Sequence, residues 1–256
     1  MFYAVKLVIV IAATVVLSLL TILGGPFDAN GKRVYRISQL WTWIIVKFSG
    51  IKLTVEGLDR LDPKRQYLFV VNHQSNFDIP VLVQSLPQFQ LRWIAKKELL
   101  WIPFFGWAMW AAKHITVDRA DSLDALKSLK LAKQRIAAGI SVVVFPEGTR
   151  STDGKLLPFK RGGFLLALKT KTPIVPVTIN GTGKLLARGE WRVQPGAINV
   201  TISAPIMAHE FHPGGLRGLS AQVQEIIAAN LQTDESFDKT GEILTRASIT
   251  APGSIV

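Results

Sequence analysis

The sequence contains no cysteine among its 256 residues. This absence excludes a disulfide framework, a thiolate nucleophile and cysteine-ligated zinc or iron–sulfur centres. Acidic residues are also scarce, since 18 aspartates and glutamates face 30 lysines and arginines, for a formal net charge of +12. The excess of positive charge predicts an anionic partner, which could be nucleic acid, an acidic carrier or a phospholipid surface.

Charge is missing altogether between Leu7 and Phe27. As a helix this stretch would be about 31 Å long, and the hydrocarbon core of a bilayer is about 30 Å thick. The stretch is therefore long enough to span a membrane. A cleaved signal peptide is the competing interpretation, but only Lys6 precedes the stretch and the adjoining GGPFDAN offers no small-x-small cleavage site.

A second apolar stretch, Ile37–Val46, has ten uncharged residues and is too short to cross a bilayer. Its Trp41 and Trp43 are residues that favour the headgroup level, which indicates a helix lying in the interface. A buried helix of the adjoining domain fits the periodicity equally well. Residues 1–49 are thus predicted to form a hydrophobic two-helix membrane segment, and the basic residues at 32–36 favour a cytoplasmic location for the rest of the chain.

From about Gly50 onward, short β-branched runs alternate with helical patterns, which is typical of an α/β domain. We expect this domain to cover residues 50–232 and to be followed by a loose tail at 233–256. Helices are predicted at Asp121–Ala138 and from Ser220 to Leu231. The predicted strands are Ile51–Val55, Tyr67–Val71, Leu91–Ala95, His114–Val117, Ser141–Phe145, Ile174–Ile179 and Ile198–Ile202.

The segment VVNHQSNFD places His73 and Asp78 directly after a predicted strand, where loops often carry catalytic groups. On a regular helix the two would lie about 140° apart, so they can pair only if the residues between them form a turn. Imidazole exchanges protons near neutral pH, and a carboxylate on its other nitrogen fixes the tautomer. The pair could serve as a general base, although a loop histidine that caps backbone groups is the ordinary alternative.

A second polar segment, ISVVVFPEGTRS, consists of a strand that stops at Pro146 and a turn that contains Gly148 and Arg150. Glycine allows a close backbone approach, and the planar guanidinium suits a phosphate. The turn could therefore bind phosphate. It could equally be a tight surface turn in which Glu147 and Arg150 merely pair.

Two other patterns carry no such chemistry. HEFH at 209–212 is one residue short of the zinc motif H-E-x-x-H, so its histidines do not share one helix face, and no metal site is predicted. GTGKLL at 181–186 lacks the first glycine and the Ser/Thr of a Walker loop.

Together and in this order, NHQSNFD (72–78) and FPEGTRS (145–151) closely resemble blocks one and three of the glycerolipid acyltransferases, specifically the bacterial 1-acyl-sn-glycerol-3-phosphate acyltransferases. HITVDR (114–119) and IVPV (174–177) are similar to blocks two and four. Lys113 and His114 stand where the family more often has small or aromatic residues. The resemblance covers about residues 40–210 and implies an α/β fold with a mixed, largely parallel sheet flanked by helices.

The resemblance also implies roles for individual residues. His73 would be the general base and Asp78 would orient it. Pro176 would shape the pocket wall beside the acyl chain. The residues expected to bind the substrate are Arg119, Glu147, Gly148, Thr149, Arg150, Lys160 and Arg161.

The implied activity is transfer of an acyl group from a thioester of acyl carrier protein or coenzyme A to the sn-2 hydroxyl of lysophosphatidate, without a cofactor. A thioester is already activated, so no acyl-enzyme is needed. The expected partners are the bilayer, the lysophosphatidate acceptor and the thioester, and not nucleic acid. The expected location is the bacterial inner membrane, with the catalytic domain on the cytoplasmic side. A different lyso-lipid acceptor, or a non-catalytic basic module that binds membranes or nucleic acid, are the alternatives.

Overall fold

The structure of the protein is a computed structural model, which describes residues 2–118, 121–186, 189–190, 192–208 and 215–232. Its centre is a seven-stranded sheet with the order β1-β7-β6-β2-β5-β3-β4. The strands are β1 Ile51–Glu56, β2 Leu68–Val71, β3 Leu91–Lys96, β4 Ile115–Val117, β5 Ser141–Val144, β6 Ile174–Asn180 and β7 Gly196–Ile202. All neighbours run parallel except β6 and β7, which are antiparallel. The predicted α/β fold with a mixed, largely parallel sheet is therefore confirmed.

Helices surround this sheet. They are α1 Phe2–Gly24, α2 Lys32–Ser49, α3 Asp78–Ser85, α4 Phe105–Ala111, α5 Ser122–Ala137, α6 Gly162–Thr170, α7 Thr182–Leu185 and α8 Gly215–Ala229. Short 3₁₀ turns lie at Gly25–Phe27, Leu58–Arg60 and Lys97–Trp101.

The two faces of the sheet carry separate hydrophobic clusters, because successive side chains of a strand point to opposite faces. In β2, Phe69 and Val71 belong to the cluster that is covered by α2 and α3. Leu68 and Val70 belong to the other cluster, under α5, α6 and α8. All four side chains are fully buried. Burial on both faces explains why the central strands are continuous apolar runs in the sequence.

The amino-terminal helices differ from each other in composition. By length and composition, the stretch Ala4–Phe27 in the described part of the chain is suited to crossing a membrane. The second helix, α2, carries four cations and packs on α3, where the Gln84 side-chain amide donates to the carbonyl of Gln39 and the hydroxyl of Thr42. The predicted two-helix membrane segment is thus reduced to one candidate span, because α2 has a polar face and contacts the α/β domain.

Two predicted helix starts were wrong. The helix α2 begins at Lys32 rather than near Ile37, since the Asp28 carboxylate accepts hydrogen bonds from the first-turn N–H groups of Lys32 and Val34. The helix α8 begins at Gly215, five residues before Ser220. Leu219 is buried in the hydrophobic cluster under α8, and its packing stabilises a helical turn ahead of Ser220. The predicted tail at 233–256 and the HEFH segment lie outside the described residues.

Candidate active site

Three loops meet at one edge of the sheet. The strands β2, β5 and β6 are parallel neighbours, so their carboxyl ends lie side by side. The loop after β2 holds His73, the loop after β5 holds Glu147 and Arg150, and the loop after β6 leads into α7. The topology therefore brings the two motifs of the sequence to the same edge.

His73 and Asp78 are paired. The distance between His73 Nδ1 and Asp78 Oδ2 is 2.7 Å, and the Asp78 side chain is fully buried whereas that of His73 is 16% exposed. A carboxylate only accepts hydrogen bonds, so Nδ1 is the protonated nitrogen and Nε2 carries the lone pair. Nε2 is thus the ring nitrogen that can accept a proton from a substrate.

The turn between these two residues explains how a spacing of five can close. Asp78 Oδ2 also accepts hydrogen bonds from the backbone N–H groups of Gln74, at 2.9 Å, and Ser75, at 3.0 Å. The Asp78 N–H in turn donates to the Ser75 carbonyl at 3.2 Å. The carboxylate therefore folds the loop around itself and then begins α3.

The His73 ring is also held by aromatic stacking. It lies nearly parallel to the Phe145 ring, at 14° and with ring centroids 3.9 Å apart. The Trp93 ring is also nearly parallel to the Phe145 ring, at 4° and with centroids 6.2 Å apart. With one face covered and Nδ1 engaged, the imidazole has a single orientation.

Glu147 joins the two motifs. Its side chain is 3% exposed, Oε1 accepts from the His73 N–H at 2.7 Å and Oε2 accepts from the Leu157 N–H at 3.0 Å. Burial raises the pKa of Glu147, and the two N–H donors oppose that rise. The Ser151 N–H completes the connection by donating to the His73 carbonyl at 2.8 Å. Both oxygens of Glu147 thus bind backbone N–H groups, and this residue holds the histidine loop against the segment at Leu157.

The basic residues lie along the same turn. Gly148 has a φ of 74°, and a Cβ built there would lie 2.8 Å from Lys160 Nζ, so this amine covers the turn. Arg150 is half-buried, and Thr149, Lys160 and Arg161 are exposed. Arg150, Lys160 and Arg161 therefore bring positive charge to this part of the chain while staying at least partly exposed to solvent.

An apolar cleft with an empty volume of about 810 Å³, including the part open to solvent, is lined by neighbours of the His–Asp pair but not by His73 or Asp78 themselves. It is bounded by α1, α2, α3, β3 and α4. Its lining includes Ile79, adjacent to Asp78 in the chain, and Trp93, at the far end of the ring stack. The cleft thus lies between Trp93 and the amino-terminal helices.

One of the predicted site residues, Pro176, lies apart from the cleft lining. Pro176 is buried within β6, in register with Val70 of β2, and it is not among the residues that line the apolar cleft. Arg119 lies outside the described residues.

His114 is a titratable side chain in the lining of this cleft. Its Nδ1 accepts a hydrogen bond from the Trp93 N–H at 3.3 Å. Burial, and then the charges of Arg92 and Arg135, lower the pKa of His114 to about 3. The folded protein therefore keeps this ring neutral at pH values where an unfolded chain would protonate it.

This difference predicts a pH-dependent stability. Since the folded pKa is lowered from 6.5 to about 3, stability is lost as the pH falls below 6.5. Between pH 7.5 and pH 5 the free energy of unfolding should decrease by about 1–2 kcal/mol through this group. We expect His114→Gln to remove that part of the decrease in the free energy of unfolding. The measurement is unfolding of both proteins in detergent at pH 7.5 and at pH 5. An equal decrease in the variant would show that other groups are responsible.

Several residues of this site carry no recognisable signal in the sequence. Phe145 and Trp93 have the pattern of strand or core residues. Thr182, whose hydroxyl donates to Asp78 Oδ1, stands within a sequence that fails the nucleotide-binding motif. Thr182 follows the end of β6, which lies beside the end of β2, so the order of the strands is the signal that would have found it. That order could not be obtained from the one sequence.

Comparison with known proteins agrees with this geometry. A profile of the Acyltransferase family matches residues 52–180. The chain is 35% identical over 209 residues to the 1-acyl-sn-glycerol-3-phosphate acyltransferase alpha of Ovis aries, covering 80% of this chain and 72% of that protein. The chain belongs to the acyltransferase family.

A solved structure and a plant relative are also similar to this chain. The crystal structure of the 1-acyl-sn-glycerophosphate (LPA) acyltransferase PlsC from Thermotoga maritima matches with a TM-score of 0.75 and 27% identity, over 90% of this chain and 93% of that one. The chloroplastic 1-acyl-sn-glycerol-3-phosphate acyltransferase BAT2 of Brassica napus is 38% identical over 201 residues, or 76% of this chain. The chain spans 58% of the length of BAT2.

Proposed function

We propose that this protein transfers a fatty acyl group from a thioester to the sn-2 hydroxyl of 1-acyl-sn-glycerol 3-phosphate, giving phosphatidate. The observation that carries the proposal is the contact between the two motifs, in which the His73 backbone is bonded to Glu147 and Ser151. A proton acceptor and a cationic turn then lie within one site. The activities for which the relatives and the neighbouring structure are named support the same reaction.

The reaction can be written with the residues of the site. His73 Nε2 takes the proton of the acceptor hydroxyl while its oxygen attacks the thioester carbonyl, and Asp78 stabilises the imidazolium that forms. The tetrahedral intermediate collapses, the carbon–sulfur bond breaks, and the imidazolium returns the proton to the departing thiolate. Holding both reactants in place supplies much of the acceleration, so no protein nucleophile is required.

The substrates can be placed by chemistry. The phosphate of the acceptor suits Arg150 and the exposed cations Lys160 and Arg161, because a guanidinium binds phosphate in a bidentate manner. The apolar cleft beside Trp93 suits an acyl chain. We place the acyl chain in the cleft and the phosphate at the turn.

We also propose that the protein works at the bacterial cytoplasmic membrane, with the sheet domain on the cytoplasmic side. Exposed apolar side chains on and beside two neighbouring helices, α1 and α4, support this proposal. They include Val8, Leu23, Phe27, Trp101 and Trp110, each more than 60% exposed. The basic residues at 32–36 support the orientation.

The purified protein should release thiol when it is mixed with lysophosphatidate in lipid vesicles and either acyl-coenzyme A or acyl carrier protein carrying the same chain. Mass spectrometry should find phosphatidate in an amount equal to the thiol released. Parallel reactions with lysophospholipids that have larger headgroups test the alternative acceptors. Thiol release without any acylated lipid, or polynucleotide binding without thiol release, would contradict the proposal.

A further inference from the structure

The second oxygen of the Asp78 carboxylate has its own partner. Thr182, the first residue of α7, is fully buried, and its hydroxyl donates a hydrogen bond of 2.5 Å to Asp78 Oδ1. The other oxygen, Oδ2, is the one that faces His73 and the N–H groups of Gln74 and Ser75. Each oxygen of this buried carboxylate therefore has a defined and different set of donors.

The segment that carries Thr182 holds the histidine loop at two further points. The Asn72 side chain exchanges two hydrogen bonds with the backbone of Ile179, at 2.8 and 2.9 Å. The Ser75 hydroxyl donates to the carbonyl of Leu186 at 2.8 Å. Residues 179–186 are thus hydrogen-bonded to the histidine loop at three points, which are Asn72 before the turn, Ser75 within it and Asp78 at its end.

A glycine allows Thr182 to reach the carboxylate. Gly181 has a φ of 97°, and a Cβ built there would lie 2.5 Å from the Ala197 carbonyl oxygen. A side chain at this position would be strained and would clash with β7. The chain can therefore turn from β6 into α7 only with glycine before the threonine, which gives the GTG sequence a structural purpose.

We propose that Thr182 is a positioning residue for acyl transfer. Its hydroxyl fixes the rotation of the Asp78 carboxylate so that Oδ2 points at His73 Nδ1, and it compensates part of the buried negative charge. This inference rests on the proposed function, in which His73 is the base. Thr182 itself does not touch the substrate.

The test compares Thr182→Val, which keeps the shape and removes the hydroxyl, with Thr182→Ser, which keeps the hydroxyl. A hydrogen bond to a charged group corresponds to about a 10- to 100-fold effect, so we expect Thr182→Val to lower kcat by that factor. Little change is expected in KM for either substrate, because neither one contacts the threonine. Thr182→Ser should restore kcat to within about threefold of the original, since the donor is present again.

Thr178→Val is the matched control. Thr178 is also fully buried, but it lies within β6 and its hydroxyl donates to the Ile227 carbonyl on α8 at 3.3 Å. Both valine variants lose one buried hydrogen bond, so a merely structural effect would lower Tm and kcat similarly in the two. Retention of normal kcat in Thr182→Val, equal losses of kcat in the two valine variants, or failure of Thr182→Ser to restore kcat would each overturn the proposal.

A second measurement does not depend on the identity of the substrate. In ¹⁵N-histidine NMR spectra of the protein in micelles, the Nδ1 proton of His73 should exchange with water faster in Thr182→Val than in Thr178→Val. If the unchanged protein transferred no acyl group, the proposed function would be refuted. The comparison of proton exchange rates would still test whether Thr182 positions the Asp78–His73 pair. Equal exchange in the two variants would overturn the role of Thr182.

Discussion

His73→Ala is expected to lower the rate of acyl transfer by about 10³-fold, because a positioned general base typically contributes 10²- to 10⁴-fold. The fold should survive, since the bonds from residue 73 to Glu147 and Ser151 are made by its backbone. In the variant, Asp78 would still accept hydrogen bonds from the two N–H groups of the turn and from the Thr182 hydroxyl. The rate is measured as thiol release at saturating substrate, alongside circular dichroism and thermal unfolding.

The matched control for this experiment is Asn76→Ala, which removes an exposed side chain from the same turn. It should retain nearly normal kcat. A His73→Ala variant that is as active as this control would remove the base from the mechanism. A variant that loses its secondary structure would instead contradict the prediction that the fold is maintained by the backbone of the loop.

Arg150→Ala is expected to raise KM for lysophosphatidate by about 10- to 100-fold with kcat changed by less than about threefold, the range set by hydrogen bonds to a charged group. Arg150 directly precedes Ser151, whose N–H bonds to the His73 carbonyl, so the backbone of Arg150 lies beside the histidine loop. Lysine at this position should recover part of the affinity, because it keeps the charge and loses the planar fork.

Arg65→Ala provides the control for a general loss of positive charge. Arg65 is exposed in the loop that precedes β2, at the opposite edge of the sheet. Its removal should leave KM unchanged in vesicles of the same composition. If the two variants raise KM equally, the effect of Arg150 comes from attraction to the lipid surface. A change in KM for the thioester alone would assign Arg150 to the donor.

All seven strands could be predicted to within two residues, because the central strands are short apolar runs between polar turns and the edge strand β1 alternates apolar with polar residues. Helix starts were harder to predict. Ser220 has the composition of an N-cap, yet tertiary packing of Leu219 places the start at Gly215. For α2 the apolar stretch was visible in the sequence, but the cap came from Asp28, outside that stretch.

The site was predictable to the extent that its chemistry lies in continuous motifs. His73 and Asp78 are separated by one turn, and the residues from Glu147 to Arg150 follow one strand. The groups that hold them are far away in the chain, such as Thr182, which is 104 residues from Asp78. A contact of this kind depends on strand order, and no local pattern of hydrophobicity or charge encodes strand order.

The antiparallel pairing of β6 and β7 has a consequence for lipid traffic. Because β7 runs against β6 and β1 runs with β7, Ile51 and Gly196 lie at the same edge as the carboxyl end of β6. The helix α2, which ends at Ser49, therefore joins the sheet at the same end as His73, although β1 is separated from β2 by β7 and β6. In the proposed reaction, a single-chain lipid could slide laterally from its leaflet to the imidazole, and the two-chain product could return by the same route without crossing bulk water.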